Sequence, residues 1–494
     1  MIIYRVCCLE FFLLLALSIL EHMMNSKINF PIRPDATTIL NELRAGKTTS
    51  EAVVREHLEQ LNKIQPTVNG ATKVFEEEAL DLARKLDQTG DKTLPLFGLP
   101  CSVKETFAME GEEVTAGSIR RVPDQCKKDA EMVRRLRKAG AVIIARSNLP
   151  EFAMTGESTN LRFGRCNNPH DITRVAGGSS GGEGALVGSG SSVFGIGSDI
   201  LGSIRIPAAL CGTVGFKAHS KAIDNTGTWP DIKTSLKDWL GYGPICRSVR
   251  DAQLIYNVLA EKPASETAEI FKNLIIPEGF PVKYRQNCIQ DAVKTARKAV
   301  LDKGLVSKKA SFKDIPKLFL MIPRIIIDEF YDIWIKDLSS NPEYGQFSPS
   351  KEVLRNLVGK PTIDGGLLNW ILMKPIMKSG RPEKREKIAN SFVEARSKYW
   401  QLLGEDNVMI MPTLGLVAPK HKGFNRASLL DPRVNGLFTS HTLGNYLDLS
   451  VICVPAWKFC DPKTGLPASV SLMCAPGGES RLFATAKIVE TALN

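Results

Sequence analysis

A chain of 494 residues, 43% of them hydrophobic and 24% charged, holds ample material for a large core, which argues against general disorder. The formal net charge of +11 is dispersed, with no long basic run of the kind that tracks nucleic acid; in the densest group, Lys378, Arg381, Lys384, Arg385 and Lys387, two glutamates are interleaved, as on a solvated helix face. Eleven cysteines without CxxC pairs argue against a disulfide scaffold. Six histidines without an HExxH or a Cys/His cluster give no metal-ligand spacing, so no metal or other cofactor is expected and each histidine, His170 and His219 included, reads as structural or solvent-facing.

Residues 1–24 read as a hydrophobic leader. Phe11 to Leu17 follow Arg5 in the manner of a signal h-region or short anchor, but the apolar run after Glu10 is about ten residues, against roughly twenty for a bilayer crossing. If residues 1–22 are genuine, an exported or membrane-associated protein is expected; a start at Met23 or Met24 removes the segment and implies a cytoplasmic one. Beyond it, Asp35 caps a helix carrying Ile39, Leu40 and Leu43. Thr48 with Glu51 forms a capping box for a second, with Val53, Val54, Leu58, Leu61 and Ile64 at helical spacing and Pro66 past its end. Ala71–Val74 reads as a strand and the stretch through Leu80, Ala83 and Leu86 as a helix.

The segment from Leu94 leads an apolar strand into Lys104, which taken alone reads as a solvated strand end. Ala130, Val133, Leu136 and Ala139 mark a helix closed by Gly140, and Ala141–Ala145 a buried strand, a helix–strand unit of an α/β sheet. Then comes Gly177-Gly178-Ser179-Ser180-Gly181-Gly182-Glu183. Glycines framing serines suggest hydroxyls presented to chemistry; a flexible linker would not run straight into Ala185-Leu186-Val187 and the apolar strand Val193–Gly197. A short helix is expected from Ala185. After Ser198 and Asp199, Ser203 begins a new turn at a helix amino terminus, where unpaired N–H groups stabilise developing negative charge, and Val214–Ala218 returns as a strand.

Residues 262–400 look less regular. Their two apolar segments, 318–327 and 367–373, read either as buried helices or as a lining for a greasy substrate or a patch against membrane. Strand-like runs resume at 408–411, 450–454 and 468–472, followed by a closing helix through Leu482, Ala484 and Ile488, which suggests one sheet completed by the carboxyl-terminal part.

Together these pieces resemble the amidase signature family of amide hydrolases, from about Pro31 onward and most densely between Phe97 and Ala218; the specific signal is Gly-Gly-Ser-Ser-Gly-Gly-Glu followed by Gly197-Ser198-Asp199-Ile200-Leu201-Gly202-Ser203-Ile204-Arg205. The resemblance implies an α/β fold: a single large domain, residues 31–494, with a central mixed β-sheet covered by helices on both faces and an irregular, substrate-lining insertion at about 262–400. It implies a Ser-Ser-Lys triad of Ser203 as nucleophile, Ser179 as bridging serine and Lys104 as base, which reverses the reading of Lys104 as a solvated end. A serine hydroxyl attacks only when something takes its proton, and a lysine takes it only when neutral, so a desolvated Lys104 is expected. The backbone N–H groups of Ile200, Leu201, Gly202 and Ser203 are implied as the oxyanion hole. A cis peptide is implied between Gly178 and Ser179, Asp199 and Arg205 as supports of the turn, and Ser180 as structural. Leu201 stands where the family usually has glycine, an expected reshaping of the acyl site.

The implied activity is hydrolysis of a small-molecule linear amide, fatty-acyl or aryl, with the apolar middle and the leader similar to the fatty-acid amide hydrolase branch; no nucleic acid is expected, and the oligomeric state is left open. Two alternatives stand beside it. One is the glutaminase subunit of a tRNA-dependent amidotransferase, whose members usually show Asp-Thr-Gly-Gly-Ser-Ile-Arg-Gln where this chain has Asp199 to Ile206. The other is a catalytically silent binding protein on the same fold.

Overall fold

In a computed structural model of the chain the described residues are 33–494, apart from 233, 280–281, 378–379 and 425–434; the leader and Lys378 lie outside them. Asp35 caps α1 (Ala36–Arg44) by accepting from Thr38 N at 3.0 Å. The next cap is Thr49 rather than Thr48: its hydroxyl accepts from Ala52 N and opens α2 (Ser50–Val68). Pro66 lies inside α2 rather than beyond it, in the last turn, where its missing N–H forfeits a single bond, and the helix ends at Asn69 in the left-handed region at φ 51°. The remaining helices that matter below are α3 (Glu76–Thr89), α4 (Glu131–Lys138), α5 (Gly181–Gly188), α6 (Arg205–Leu210), α7 (Val249–Leu259), α8 (Asn287–Leu301), α9 (Ile315–Phe319), α10 (Ile322–Leu338), α11 (Pro349–Leu357), α12 (Gly365–Leu372), α13 (Lys374–Met377), α14 (Pro382–Leu403), α15 (Asn435–Tyr446) and α16 (Glu479–Leu493).

Eleven strands form one sheet. In chain order they are β1 (Ala71–Val74), β2 (Pro100–Lys104), β3 (Val142–Ser147), β4 (Phe194–Asp199), β5 (Val214–Lys217), β6 (Gly241–Cys246), β7 (Asn273–Glu278), β8 (Val306–Ser311), β9 (Asn407–Pro412), β10 (Ser450–Cys460) and β11 (Pro467–Cys474). Across the sheet the order is β1-β3-β2-β4-β6-β5-β10-β11-β9-β7-β8. β3, β2 and β4 are parallel, as are β9, β7 and β8, and antiparallel pairings join the rest, so the sheet is mixed. The carboxyl-terminal strands do complete the sheet begun by the amino-terminal ones.

Side chains of successive strand residues point to opposite faces, and both faces are buried here. Val408 and Ile410 of β9 and Ile452 and Val454 of β10 pack with α1, α4, α7, α8 and α16, whereas Met409, Met411 and Val451 pack with α10, α12, α14 and α15 on the other side. α2 and α3 cover the amino-terminal strands through Val54, Leu58, Ala79 and Ala83 against Val142 and Ile144. Helices therefore cover a single large sheet on both faces.

The middle region is more ordered than its sequence suggests. It adds β7 and β8 to the sheet edge and supplies α8 to α14. β8, Val306-Ser-Lys-Lys-Ala-Ser311, is almost wholly exposed, so no apolar alternation announces it; charged side chains are usual on an edge strand. Both apolar segments are helical: Ile322, Ile325, Ile326, Phe330 and Trp334 of α10 and Leu367, Leu368 and Ile371 of α12 are buried.

α5 starts at Gly181, inside the glycine stretch, not at Ala185. Its first turn lies directly against backbone: a Cβ on Gly182 would sit 2.3 Å from Asn148 N and 2.4 Å from Gly70 O. Since main chain cannot swing aside as a side chain can, Gly182→Ala is expected to cost about 1–3 kcal/mol of stability, seen as a lower melting temperature of the purified protein. An unchanged melting temperature would contradict this close packing.

Candidate active site

The parallel pairing of β2 and β4, with Val103 opposite Ile196, brings the carboxyl ends of both strands to one edge of the sheet. Lys104 ends β2, and Ser198 and Asp199 end β4. The glycine stretch is held beside them by Ser180, whose N–H donates to Ser203 O at 3.1 Å and whose hydroxyl donates to Ser198 O at 3.4 Å, a structural use of that serine. The peptide between Gly178 and Ser179 is cis. A Cβ on Gly178 would come within 2.6 Å of Thr155 O, so only glycine fits this approach.

Lys104 Nζ lies 2.7 Å from Ser179 Oγ and 3.0 Å from Ser198 Oγ. Burial draws its pKa down from 10.5 to about 7, against the opposing pull of Asp199, Glu183 and Glu105. Burial lifts the pKa of Glu183 itself to about 8, and its carboxyl is hydrogen-bonded with Ser102 Oγ. The lysine is thus a buried amine that exchanges a proton near neutrality.

Asp199 organises the turn that follows. Its Oδ1 accepts from Gly202 N at 2.6 Å and Oδ2 from Ile204 N at 3.1 Å, while Arg205 donates Nε to Oδ2 at 2.9 Å and Nη2 to Oδ1 at 3.0 Å. Asn445 of α15 completes the cluster, accepting from Arg205 Nη2 at 2.6 Å and donating to Asp199 Oδ1 at 2.8 Å. Burial alone would raise the Asp199 carboxyl, but the Arg205 guanidinium and the Asn445 amide more than offset it and hold it well below the usual carboxylate range. Asp199 and Arg205, expected as supports of the turn, are joined to each other, and Asp199 also to the turn's N–H groups. Gly202 differs from expectation: its N–H is taken by Asp199 and is not available to an oxyanion. The N–H groups of Ile200, Leu201 and Ser203 have no hydrogen-bond partner among the described residues.

Ser203 opens onto two spaces. One is a cavity of about 300 Å³ that begins at Gly178, Ile200 and Leu201 and runs outward between Phe319, Ile326 and Trp370; no charged side chain is among its described lining. The other is a recess of about 40 Å³ shared with Ser179 and Ser198 and walled by Trp229, Tyr242 and Trp334. The apolar segments are therefore buried helices that also line a cavity: Ile322 and Ile326 of α10 are at once core and wall, and α12 adds Gly366 and Trp370 to the wall. No hydrogen bond joins Ser203 Oγ to Ser179 Oγ among the described residues, so the chain of hydroxyls is closed at the lysine and open at Ser203.

Three residues of the site carry no readable signal in the sequence. Ser198 lies within the signature, but spacing does not tell which of two adjacent side chains meets the lysine. Asn445 is 240 positions from Arg205 and has no local pattern around it. His441 lines the larger cavity beside Ser203, where burial holds it neutral with a pKa of about 3, and a Cβ on Gly202, at φ 102°, would meet its Cδ2 at 2.5 Å. His170 and His219 lie away from the site, against Cys211 O at 3.0 Å and Glu479 at 3.7 Å. Among the described residues no group of side chains has the makings of a metal site and no helix is long and apolar enough to cross a membrane.

Residues 52–483 match the family model described as Amidase. The chain is 28% identical over 415 residues to fatty-acid amide hydrolase 2-B of Danio rerio, covering 78% of this chain and 77% of that protein. It is also 28% identical over 476 residues to a glutamyl-tRNA(Gln) amidotransferase subunit of Lachnospira eligens, covering 89% and 94%. A solved fatty acid amide hydrolase superposes with a TM-score of 0.74 over 93% of this chain and 85% of the other; at 20% identity this is a likeness of fold.

Replacing Asp199 by alanine strands the fully buried Arg205 guanidinium and the N–H groups of the turn. A loss of about 3–5 kcal/mol is expected in urea unfolding, since removing one partner of a buried pair leaves an uncompensated charge. A variant as stable as the wild type would show that the turn does not depend on this carboxylate.

Proposed function

The chain belongs to the amidase family of hydrolases acting on carbon–nitrogen bonds, and on that premise we propose that it hydrolyses a linear carboxylic amide through a serine acyl-enzyme, with Lys104 as base, Ser179 as proton relay and Ser203 as nucleophile. The observation that carries the reading is the 2.7 Å contact between Ser179 and a lysine whose burial brings its pKa to about 7. At neutral pH much of Lys104 has a free electron pair, which is what a base requires.

In the proposed first half-reaction Ser203 Oγ attacks the amide carbonyl carbon. Its proton passes to Ser179 Oγ as the Ser179 proton passes to Lys104 Nζ, so the lysine becomes an ammonium, supported by Ser198 at 3.0 Å. The carbonyl oxygen takes the negative charge and is met by the N–H groups of Ile200, Leu201 and Ser203. The relay then runs backwards, the nitrogen of the scissile bond is protonated, and the amine leaves. Water attacks the acyl-enzyme with the same groups as base. The open link between Ser203 and Ser179 closes as substrate enters, as such contacts tighten in the complex.

Because the departing nitrogen must collect its proton from Ser179, the amine belongs on the side of the small recess that Ser179 lines, and the acyl arm in the apolar cavity. A recess of about 40 Å³ suits ammonia or a small amine. The apolar cavity suits a fatty or aryl acyl group. The same lining weighs against a glutaminase, although a relative named as an amidotransferase subunit is similar over most of its length: the ammonium and carboxylate of glutamine would lie in the cavity without a charged partner among the described lining.

Two outcomes are expected of the purified protein. With an unbranched fatty primary amide, kcat/KM followed by ammonia release rises with pH through about 7, as Lys104 loses its proton. The sign follows from the lowered pKa: below it the ammonium has no pair to accept the serine proton. A flat profile between pH 5 and 9 would contradict Lys104 as the base. Leu201, half-buried at the cavity wall beside Ser203, is read as narrowing the acyl site; Leu201→Gly is expected to move the preferred acyl group toward bulkier chains, and an unchanged ranking would contradict that reading.

A further inference from the structure

A second cavity, of about 920 Å³, adjoins the apolar one: Gly366 and Met373 line both. Its character is different. Glu157, Asp364, Arg165 and Lys422 all line it. The two carboxylates are occupied by main chain: Glu157 accepts from Lys422 N at 2.8 Å and Phe424 N at 2.9 Å, and Asp364 caps α12 by accepting from Gly366 N at 2.8 Å. Among the described residues the two cations are not occupied. Lys422 Nζ has no hydrogen bond or ion pair among the described residues, and Arg165 spends only Nε, on Asn167 Oδ1 at 3.1 Å, so its terminal nitrogens remain open. Glu157 also fixes where the lysine starts from, since Lys422 has φ 65°, a left-handed conformation held by that carboxylate on its N–H. The volume is roughly three times that of the apolar cavity, enough for a hydrated polar group.

We propose that this vestibule is a subsite for an anionic group at the far end of the acyl arm, a carboxylate in the simplest case. It rests on the reading above, in which Ser203 is acylated and the acyl arm lies in the apolar cavity. The substrates are then amides of chain acids with an apolar middle and an anionic terminus. The chain passes from Ser203 along α12 to Gly366 and Met373, and its terminus meets the Arg165 guanidinium and the Lys422 ammonium. A charged terminus there keeps partial contact with water and finds two cations, whereas within the uncharged cavity it would be desolvated without a partner.

The test uses the full chain and two substrate series of matched length, primary amides of unbranched monocarboxylic acids and monoamides of the corresponding dicarboxylic acids, each followed by ammonia release. The expected result is a chain length from which the carboxylate-terminated amide has the higher kcat/KM, by about tenfold and chiefly through KM, as for a charge-assisted contact. In Arg165→Gln/Lys422→Gln the ratio between the series falls toward one, and Lys422→Glu brings it below one; melting temperatures show that the variants fold, and the single substitutions decide the matter if the double one does not. No chain length favouring the carboxylate, or a preference that survives these substitutions, overturns the proposal. If the wild type hydrolyses neither series, the reading of Ser203 as an acylated nucleophile falls, and a preference absent from an active enzyme is the distinct failure of the subsite alone.

Discussion

Everything at this site depends on an amine held out of water. Lys104 is fully buried at the end of a central strand, and an ammonium there has lost its hydration, so its proton is held far less tightly than on an exposed lysine. Ser179 of the glycine stretch and Ser198 of the sheet make this tolerable by placing two hydroxyls at hydrogen-bond distance, while no carboxylate forms an ion pair with the lysine among the described residues. A direct ion pair would fix the lysine as a cation and deny it the role of base proposed for it.

The second requirement is a rigid turn next to the lysine. Asp199 meets it by facing two ways, toward the N–H groups of its own turn and toward Arg205, and Asn445 ties both to a helix from the far end of the chain. A strand end, a glycine-rich approach and a carboxyl-terminal helix thus converge on one small volume. The proposed oxyanion donors gain their direction from this clamp, since the carboxylate that consumes the Gly202 N–H also fixes the path of Leu201 and Ser203.

Much of this was legible in the sequence. The strands around Lys104 and Asp199 are short apolar runs bounded by turn residues, and the signature serines stand out because glycines frame them. What was not legible has physical reasons. β8 is an edge strand with lysines in place of an alternating apolar face, Thr49 and Thr48 are equally good cap residues until geometry chooses, and Pro66 sits in the last turn of its helix, two residues before the end that it was expected to follow. Asn445 and His441 belong to the site through tertiary folding alone. The loss of Gly202 from the expected donors follows from one side-chain rotamer, which no spacing encodes. The apolar segments of the middle region showed that a helix reads the same whether its greasy face meets the core or a cavity; α10 and α12 do both.

The central claim is that a neutral buried lysine activates Ser203 through Ser179. It is tested most directly by titrating the folded protein with a fluorophosphonate and locating the adduct by mass spectrometry in the wild type, in Ser203→Ala and in Lys104→Met. The account predicts one adduct per chain on Ser203, none in Ser203→Ala, and labelling slowed by at least a hundredfold, on the order of the loss of a general base, in Lys104→Met. Rapid labelling of Lys104→Met at Ser203, or an adduct elsewhere in the wild type, would contradict it.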